Sequence, residues 1–190
     1  MRVAPVKTAL SFDEFLEFET SSLERHEFVD GNLFVMAGGT DRQSHVIGEV
    51  FSQVKAPSRA AGLRVYMSDV LIRTPSDVGY YPDVYICQDN PADTARVKRQ
   101  PIIIVEVLSE STEMFDRSEK WQNYQTIPSL QQYVLLSQNL PFAEVYSRQD
   151  DRSWRYQPFS GQALIDLSSL NFKLSLAELY ADLPPETHLE

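Results

Sequence analysis

Two acidic residues stand in sequence settings where an unpaired carboxylate is costly. Asp83 directly follows Pro82 and opens a short apolar segment over residues 84–87. Glu106 lies inside the most apolar, β-branched segment of the chain, residues 102–108. A charge in such a segment is unfavourable unless it is paired or bound to a cation. Because carboxylate oxygens are hard ligands that suit Mg²⁺ or Mn²⁺, the two acids are candidate ligands of a divalent metal.

Both acids also have ordinary structural explanations. Asp83 could cap a turn at the edge of a strand. Glu106 could pair with a buried arginine or lie on a half-exposed strand. The two residues by themselves leave these explanations and the metal site equally open.

A wider set of residues resembles a known protein family. In chain order the set is Glu27–Gly31, His45, Pro82–Asp83, Glu106–Ser109, Asp116, Lys120, Tyr124 and Tyr133–Leu135. Together these residues resemble the putative restriction endonuclease family, a group of bacterial domains within the PD-(D/E)xK nuclease superfamily. The resemblance covers roughly residues 24–148 and depends on the joint pattern, because the Pro-Asp pair alone is uninformative.

The resemblance implies metal-dependent hydrolysis of phosphodiester bonds in nucleic acid, with DNA favoured over RNA. It implies that Asp83, Glu106 and the Val107 carbonyl hold Mg²⁺ or Mn²⁺. Such an ion polarises the scissile phosphate and lowers the pKa of a bound water. Lys120 then orients that water or stabilises the charge that develops on the phosphate, and Glu27 completes the site. Many nucleases of this fold act as dimers because two strands must be cut, so a homodimer is compatible with this reading.

One position departs from the superfamily pattern. The signature lysine is expected two residues after the second acid, on the same face of the strand, and Leu108 occupies that position. The resemblance implies that the lysine has moved to the following helix, as Lys120. The absence of a lysine at Leu108 also favours a binding module on the same fold that has lost cleavage. A structural or partner-recruiting domain is a third hypothesis.

The other members of the set have structural explanations as well. Lys120 follows Asp116 by four residues, which is typical of an ion pair on a helix surface. Glu27, on a hairpin strand, is typical of a solvated cross-strand partner. We interpret His45 as a polar-face or capping residue and Tyr124 as a packing residue.

Charge and composition limit the class of protein. The 190 residues include 17 basic and 27 acidic side chains, which give a formal net charge of −10. This argues against broad electrostatic binding of nucleic acid, although bound cations reverse the charge locally. The single cysteine, Cys87, excludes an intrachain disulfide. Without a secretory pattern or a long apolar stretch, the sequence predicts a cytoplasmic protein that does not enter membranes.

The predicted elements place the candidate residues on a sheet and a helix. The predicted helices are one capped by Ser11, one over 41–56 ended by Pro57, one over 112–125 with Met114 on its packing side, and a short one capped by Ser175. A hairpin over 25–36 turns at Asp30-Gly31. The other predicted strands cover 63–73, with a bend near Ser68, and 84–87, 102–108, 132–136, 142–148 and 154–158. This order predicts an α/β (α+β mixed) fold with a central mixed β-sheet flanked by helices, which is restriction-endonuclease-like. Residues 1–188 are predicted to form one domain, and residues 189–190 resemble a scar that precedes a purification tag.

Overall fold

Strands dominate the computed structural model, which describes residues 6–7, 9–36 and 38–183. The strands are β1 (Val6–Lys7), β2 (His26–Val29), β3 (Asn32–Val35), β4 (Arg64–Met67), β5 (Leu71–Arg73), β6 (Gly79–Tyr80), β7 (Val84–Cys87), β8 (Val97–Lys98), β9 (Pro101–Leu108), β10 (Gln132–Ser137), β11 (Phe142–Arg148), β12 (Trp154–Ser160), β13 (Leu164–Leu167) and β14 (Phe172–Ser175). The helices are α1 (Phe12–Ser21), α2 (Asp41–Ala60), α3 (residues 113–124) and α4 (Leu176–Leu179), and a 3-10 turn covers Ser168–Leu170.

A mixed six-stranded sheet is the centre of the described part of the chain. Its strand order is β12-β11-β10-β9-β7-β4, and β9 runs parallel to β10 and antiparallel to β7. Val105 and Val107 of β9 share a buried cluster with Val50 of α2. Ile104 and Leu108 lie in a second cluster, which includes residues of α3 and of the other large sheet. The mixed sheet flanked by helices confirms the predicted fold class.

A second sheet covers the face of β9 that carries Ile104. Its order is β1-β3-β2-β6-β5-β8. The predicted hairpin forms as β2 and β3, with Asp30 at φ 49° and Gly31 at φ 78° in the turn. Positive φ at both central residues matches the right-handed twist of the paired strands, which is why Asp-Gly is favoured there. The capping box predicted for α1 is also present, since Ser11 and Glu14 bond to each other's backbone N–H groups.

Two boundaries predicted from the sequence are wrong. Helix α2 continues through Pro57 to Ala60, because the buried stripe of Val46, Val50 and Val54 extends to Ser58 and its packing outweighs the hydrogen bond and the steric fit that the proline loses. The single bent strand predicted over 63–73 is two strands, β4 and β5, which join different sheets. Ser68 lies between them at φ 39°, a left-handed conformation that breaks the strand.

Helix α3 is present where the sequence predicts it, with an irregular middle. It consists of Glu113–Phe115, a π-helical turn at Asp116–Lys120, and Trp121–Tyr124. Met114, predicted to pack inward, is 83% exposed, whereas Asp116 and Lys120 are buried. A π turn adds a residue to the helical repeat and therefore changes which side chains face the sheet.

No described helix is long and apolar enough to cross a bilayer. The suggested tag scar at residues 189–190 lies outside the described residues, and the extent of the domain stays a prediction.

The hairpin turn provides a test of the backbone assignment. We expect Gly31→Ala to lower the free energy of unfolding by about 1–2 kcal/mol, because a Cβ is unfavourable at positive φ. The matched change Gly48→Ala, in α2, should raise it by about 0.5–1 kcal/mol, since a Cβ there meets no atom within 4 Å and alanine favours a helix. Urea denaturation of both variants measures the difference, and equal effects would contradict the turn conformation.

Candidate active site

Asp83 and Glu106 meet across two neighbouring strands. Val84 pairs with Val105 in the antiparallel register of β7 and β9, so Asp83 lies opposite Glu106. The N–H of Asp83 donates to Glu106 Oε2 at 3.2 Å, and the N–H of Val107 donates to Asp83 Oδ2 at 2.7 Å. Each carboxylate is therefore held by the backbone of the strand that carries the other.

Lys120, on α3, binds Glu106 and two further acids. Its Nζ lies 3.0 Å from Glu106 Oε1 and 3.1 Å from both Glu27 Oε1 and Asp116 Oδ1. All four side chains are buried. The interpretation of Lys120 and Asp116 as a surface ion pair is wrong, because the pair forms in the interior, where the π turn directs both residues. The interpretation of Glu27 as a solvated residue is wrong for the same reason.

Two tyrosines extend the hydrogen-bond network. The Tyr124 hydroxyl donates to Glu106 Oε1 at 3.1 Å, and the Tyr133 hydroxyl donates to the Asp116 carbonyl at 3.0 Å. Tyr124 also packs against Tyr80 and Tyr133, which confirms its predicted packing role. The prediction did not include its hydrogen bond to Glu106. His45 is half-buried on α2 and does not line the cleft with the other predicted residues.

The acids form the floor of a cleft of about 110 Å³. Val35 and Met36, at the end of the hairpin, line one side of it. Phe115 and the segment that contains Ser109 and Thr112 also line the cleft. The lining of the cleft therefore combines apolar side chains and hydroxyl groups with the acidic groups.

Burial strongly affects the ionisation of the floor. Burial raises the pKa of Asp83 to about 6, against the opposing effects of the Val107 N–H and of Lys120. Burial also raises the pKa of Glu106 well above its usual value, which Lys120 opposes and the negative charges of Asp116 and Asp83 reinforce. For Lys120 burial lowers the pKa, but the neighbouring carboxylates outweigh it and raise the pKa well above its usual value. Lys120 therefore keeps its positive charge, and the carboxyl groups of the cleft outnumber this single ammonium group.

The donor set fits a small divalent cation. Four carboxyl groups, those of Glu27, Asp83, Glu106 and Asp116, line the same cleft as one ammonium group, that of Lys120. No group of three or more His, Cys, Asp or Glu side chains within the described residues is arranged to hold a metal ion by itself. Mg²⁺ is usually bound by only one or two carboxylates together with water and substrate phosphate. Asp83, Glu106 and the Val107 carbonyl meet this smaller requirement.

Gln43 also belongs to the site and was not predicted from the sequence. Its Nε2 donates to the Val107 carbonyl at 2.9 Å, and its amide lowers the pKa of Asp83. A glutamine at the start of an amphipathic helix gives no chemical signal in the sequence, because such positions are usually solvated.

Comparison with known families shows to which family the chain belongs. A family model described as "Uma2: Putative restriction endonuclease" matches residues 12–178. The chain belongs to this family. The match covers every candidate residue of the cleft, and it confirms the resemblance found in the sequence.

Relatives and solved structures agree with this membership. Two uncharacterized proteins of Synechocystis sp. are each 28% identical to the chain; one alignment covers 92% of the chain and 93% of the relative, the other 85% and 94%. The crystal structure of a putative nuclease of the DUF820 group from Anabaena variabilis is similar with a TM-score of 0.75 at 16% identity, over 92% of this chain and 99% of that one. This likeness confirms the fold.

The buried ammonium leads to a stability prediction. We expect Lys120→Met to lower the free energy of unfolding by about 3–5 kcal/mol without metal, because buried carboxylates lose their counter-ion. Adding Glu106→Gln to that variant should recover part of the loss, since one buried charge is removed. Urea denaturation in the presence of a chelator measures both changes.

The matched control is Lys173→Met, which changes an exposed lysine on β14. It should leave the denaturation midpoint unchanged. A Lys120→Met variant as stable as this control would show that the ammonium does not hold the carboxylates together.

Proposed function

We propose that the protein is a divalent-metal-dependent nuclease that hydrolyses phosphodiester bonds in nucleic acid. The observation that carries the proposal is the contact between Asp83 and Glu106, with the Lys120 ammonium bound to Glu106 in the same cleft. DNA is favoured over RNA because the family is described as one of restriction endonucleases. A duplex has two strands to cut, so we also expect two chains to act together.

Asp83, Glu106 and the Val107 carbonyl would hold Mg²⁺ or Mn²⁺. When bound, the ion supplies a polarising charge to the scissile phosphate and lowers the pKa of a coordinated water. The hydrogen bonds of Glu106 leave room for this role. Its Oε1 accepts from Lys120 and Tyr124, whereas its Oε2 accepts only the longer bond from the Asp83 N–H. The two carboxylates therefore keep oxygen lone pairs next to each other.

Lys120 contributes a positively charged side chain to the cleft. Its ammonium is held in position before substrate arrives, so it can stabilise negative charge on a phosphate without reorganisation. Glu27 and Asp116 each pair with it at 3.1 Å, in addition to Glu106. We propose Lys120 as the group that orients water or stabilises the developing charge, and Glu27 as the residue that fixes its direction.

A binding module without cleavage is the second candidate. Leu108, at the position of the superfamily's signature lysine, is buried and apolar. In addition, the Lys120 ammonium is already paired with three carboxylates, at 3.0–3.1 Å. Both observations favour a site that binds metal and nucleic acid without turnover, and the next two experiments distinguish the candidates.

The first experiment measures turnover. We expect the purified protein with Mg²⁺ or Mn²⁺ to cleave DNA, and a chelator to abolish cleavage. Asp83→Asn and Glu106→Gln should each reduce turnover at least about tenfold, equivalent to about 1.4 kcal/mol of barrier. The control Asp150→Asn, on the exposed turn after β11, should remain fully active. Cleavage that persists in both site variants would contradict the assignment.

The second experiment measures metal binding by thermal stability. Millimolar Mn²⁺ should raise the melting temperature of the wild type, because a ligand that binds only the folded state stabilises it. Asp83→Asn should lose most of this gain, whereas Asp150→Asn should keep it. A metal-induced gain without any turnover would select the binding module. A wild type indifferent to Mn²⁺ would contradict both candidates.

A further inference from the structure

Gln43 contacts one of the three groups proposed to hold the metal. Its Nε2 donates to the Val107 carbonyl at 2.9 Å. A carbonyl oxygen has two lone pairs, so this bond leaves one available to a cation. Gln43 thus connects the first turn of α2 to the carbonyl oxygen of β9, and its amide also lowers the pKa of Asp83.

The turn of α2 that carries Gln43 is fixed to the ends of the central strands. The Thr40 hydroxyl accepts from the Gln43 N–H at 3.1 Å and donates to Gln138 Oε1 at 2.9 Å, just beyond β10. Arg42 Nη2 donates to the Asn139 carbonyl at 3.0 Å. Together with the bond from Gln43 to Val107, these contacts fix the first turn of α2 before any ligand binds.

Because Gly39 has no side chain, the Gln43 amide can occupy the space beside it. A Cβ on Gly39 would lie 2.8 Å from Gln43 Oε1, a distance that requires the amide to move. The neighbouring Gly38 also lines the cleft, yet a Cβ there would meet no atom within 4 Å. The two glycines therefore form a matched pair, in which only one substitution displaces Gln43.

We propose that Gln43 is a positioning residue, which orients the Val107 carbonyl toward the divalent cation that it would share with Asp83 and Glu106. This inference rests on the proposed function, because it concerns the same metal. Groups that hydrogen-bond metal ligands fix their direction, and losing one typically costs 10–100-fold in metal affinity. The amide adds no charge, so it orients the carbonyl oxygen without changing the net charge of the site.

The test is the affinity for Mn²⁺, measured from the electron paramagnetic resonance signal of free Mn²⁺. Gln43→Met keeps the approximate side-chain volume and removes the donor, and it should weaken binding by about tenfold or more. Gln53→Met makes the same change on the same helix, at a glutamine that accepts from the Ser175 N–H, and should bind as the wild type does. Equal affinity of Gln43→Met and wild type would overturn the inference, as would an equal loss in Gln53→Met.

A second pair of variants leaves Gln43 itself in place. Gly39→Ala should weaken Mn²⁺ binding because the new methyl group displaces the amide, whereas Gly38→Ala should not. Equal affinities in this pair would also overturn the inference. A wild type that binds no Mn²⁺ would instead contradict the metal site, and with it the proposed function. Loss of affinity confined to Gln43→Met and Gly39→Ala is the result that the geometry predicts.

Discussion

The structure around the cleft depends on one buried ammonium group. Lys120, on α3, is the cation shared by Glu27 of the second sheet, Glu106 of the central sheet and Asp116 of its own helix. Without it, these carboxylates would face one another in a region from which water is largely excluded, at a cost of several kcal/mol. The ion pairs therefore connect both sheets and α3 at the same point, and the π turn in α3 brings Asp116 and Lys120 to that point together.

The same charges define what the cleft can bind. One ammonium does not neutralise four carboxyl groups, and burial makes the excess negative charge more unfavourable. A divalent cation next to Asp83 and Glu106 would relieve this repulsion and would reverse the local charge toward a phosphate. This is how a chain with a net charge of −10 can act on nucleic acid. The acidic composition and the proposed activity are thus compatible.

Much of the fold could be predicted from the sequence, because local patterns determine it. The Asp30-Gly31 turn, the Ser11 cap and the apolar strand around Glu106 have short-range signals that tertiary packing does not override. Asp83 and Glu106 stand out locally as acids in apolar settings, but only the joint pattern shared with the family makes them candidates for one site. The two wrong boundaries lie where long-range contacts determine the end of an element. Pro57 is accommodated because the buried face of α2 continues past it. The strand is interrupted at Ser68 because the segments on either side belong to different sheets.

The burial of Lys120 and Glu27, and the participation of Gln43, could not be predicted because they depend on how separate elements pack. The proposed activity requires that Asp83 and Glu106 share a divalent cation. The most direct measurement is a crystal soaked in Mn²⁺ and examined by anomalous diffraction. We expect a peak between the two carboxylates, within about 2–2.5 Å of oxygens from both residues and from Val107. A well-ordered crystal with no peak there, or with Mn²⁺ bound only elsewhere, would contradict it.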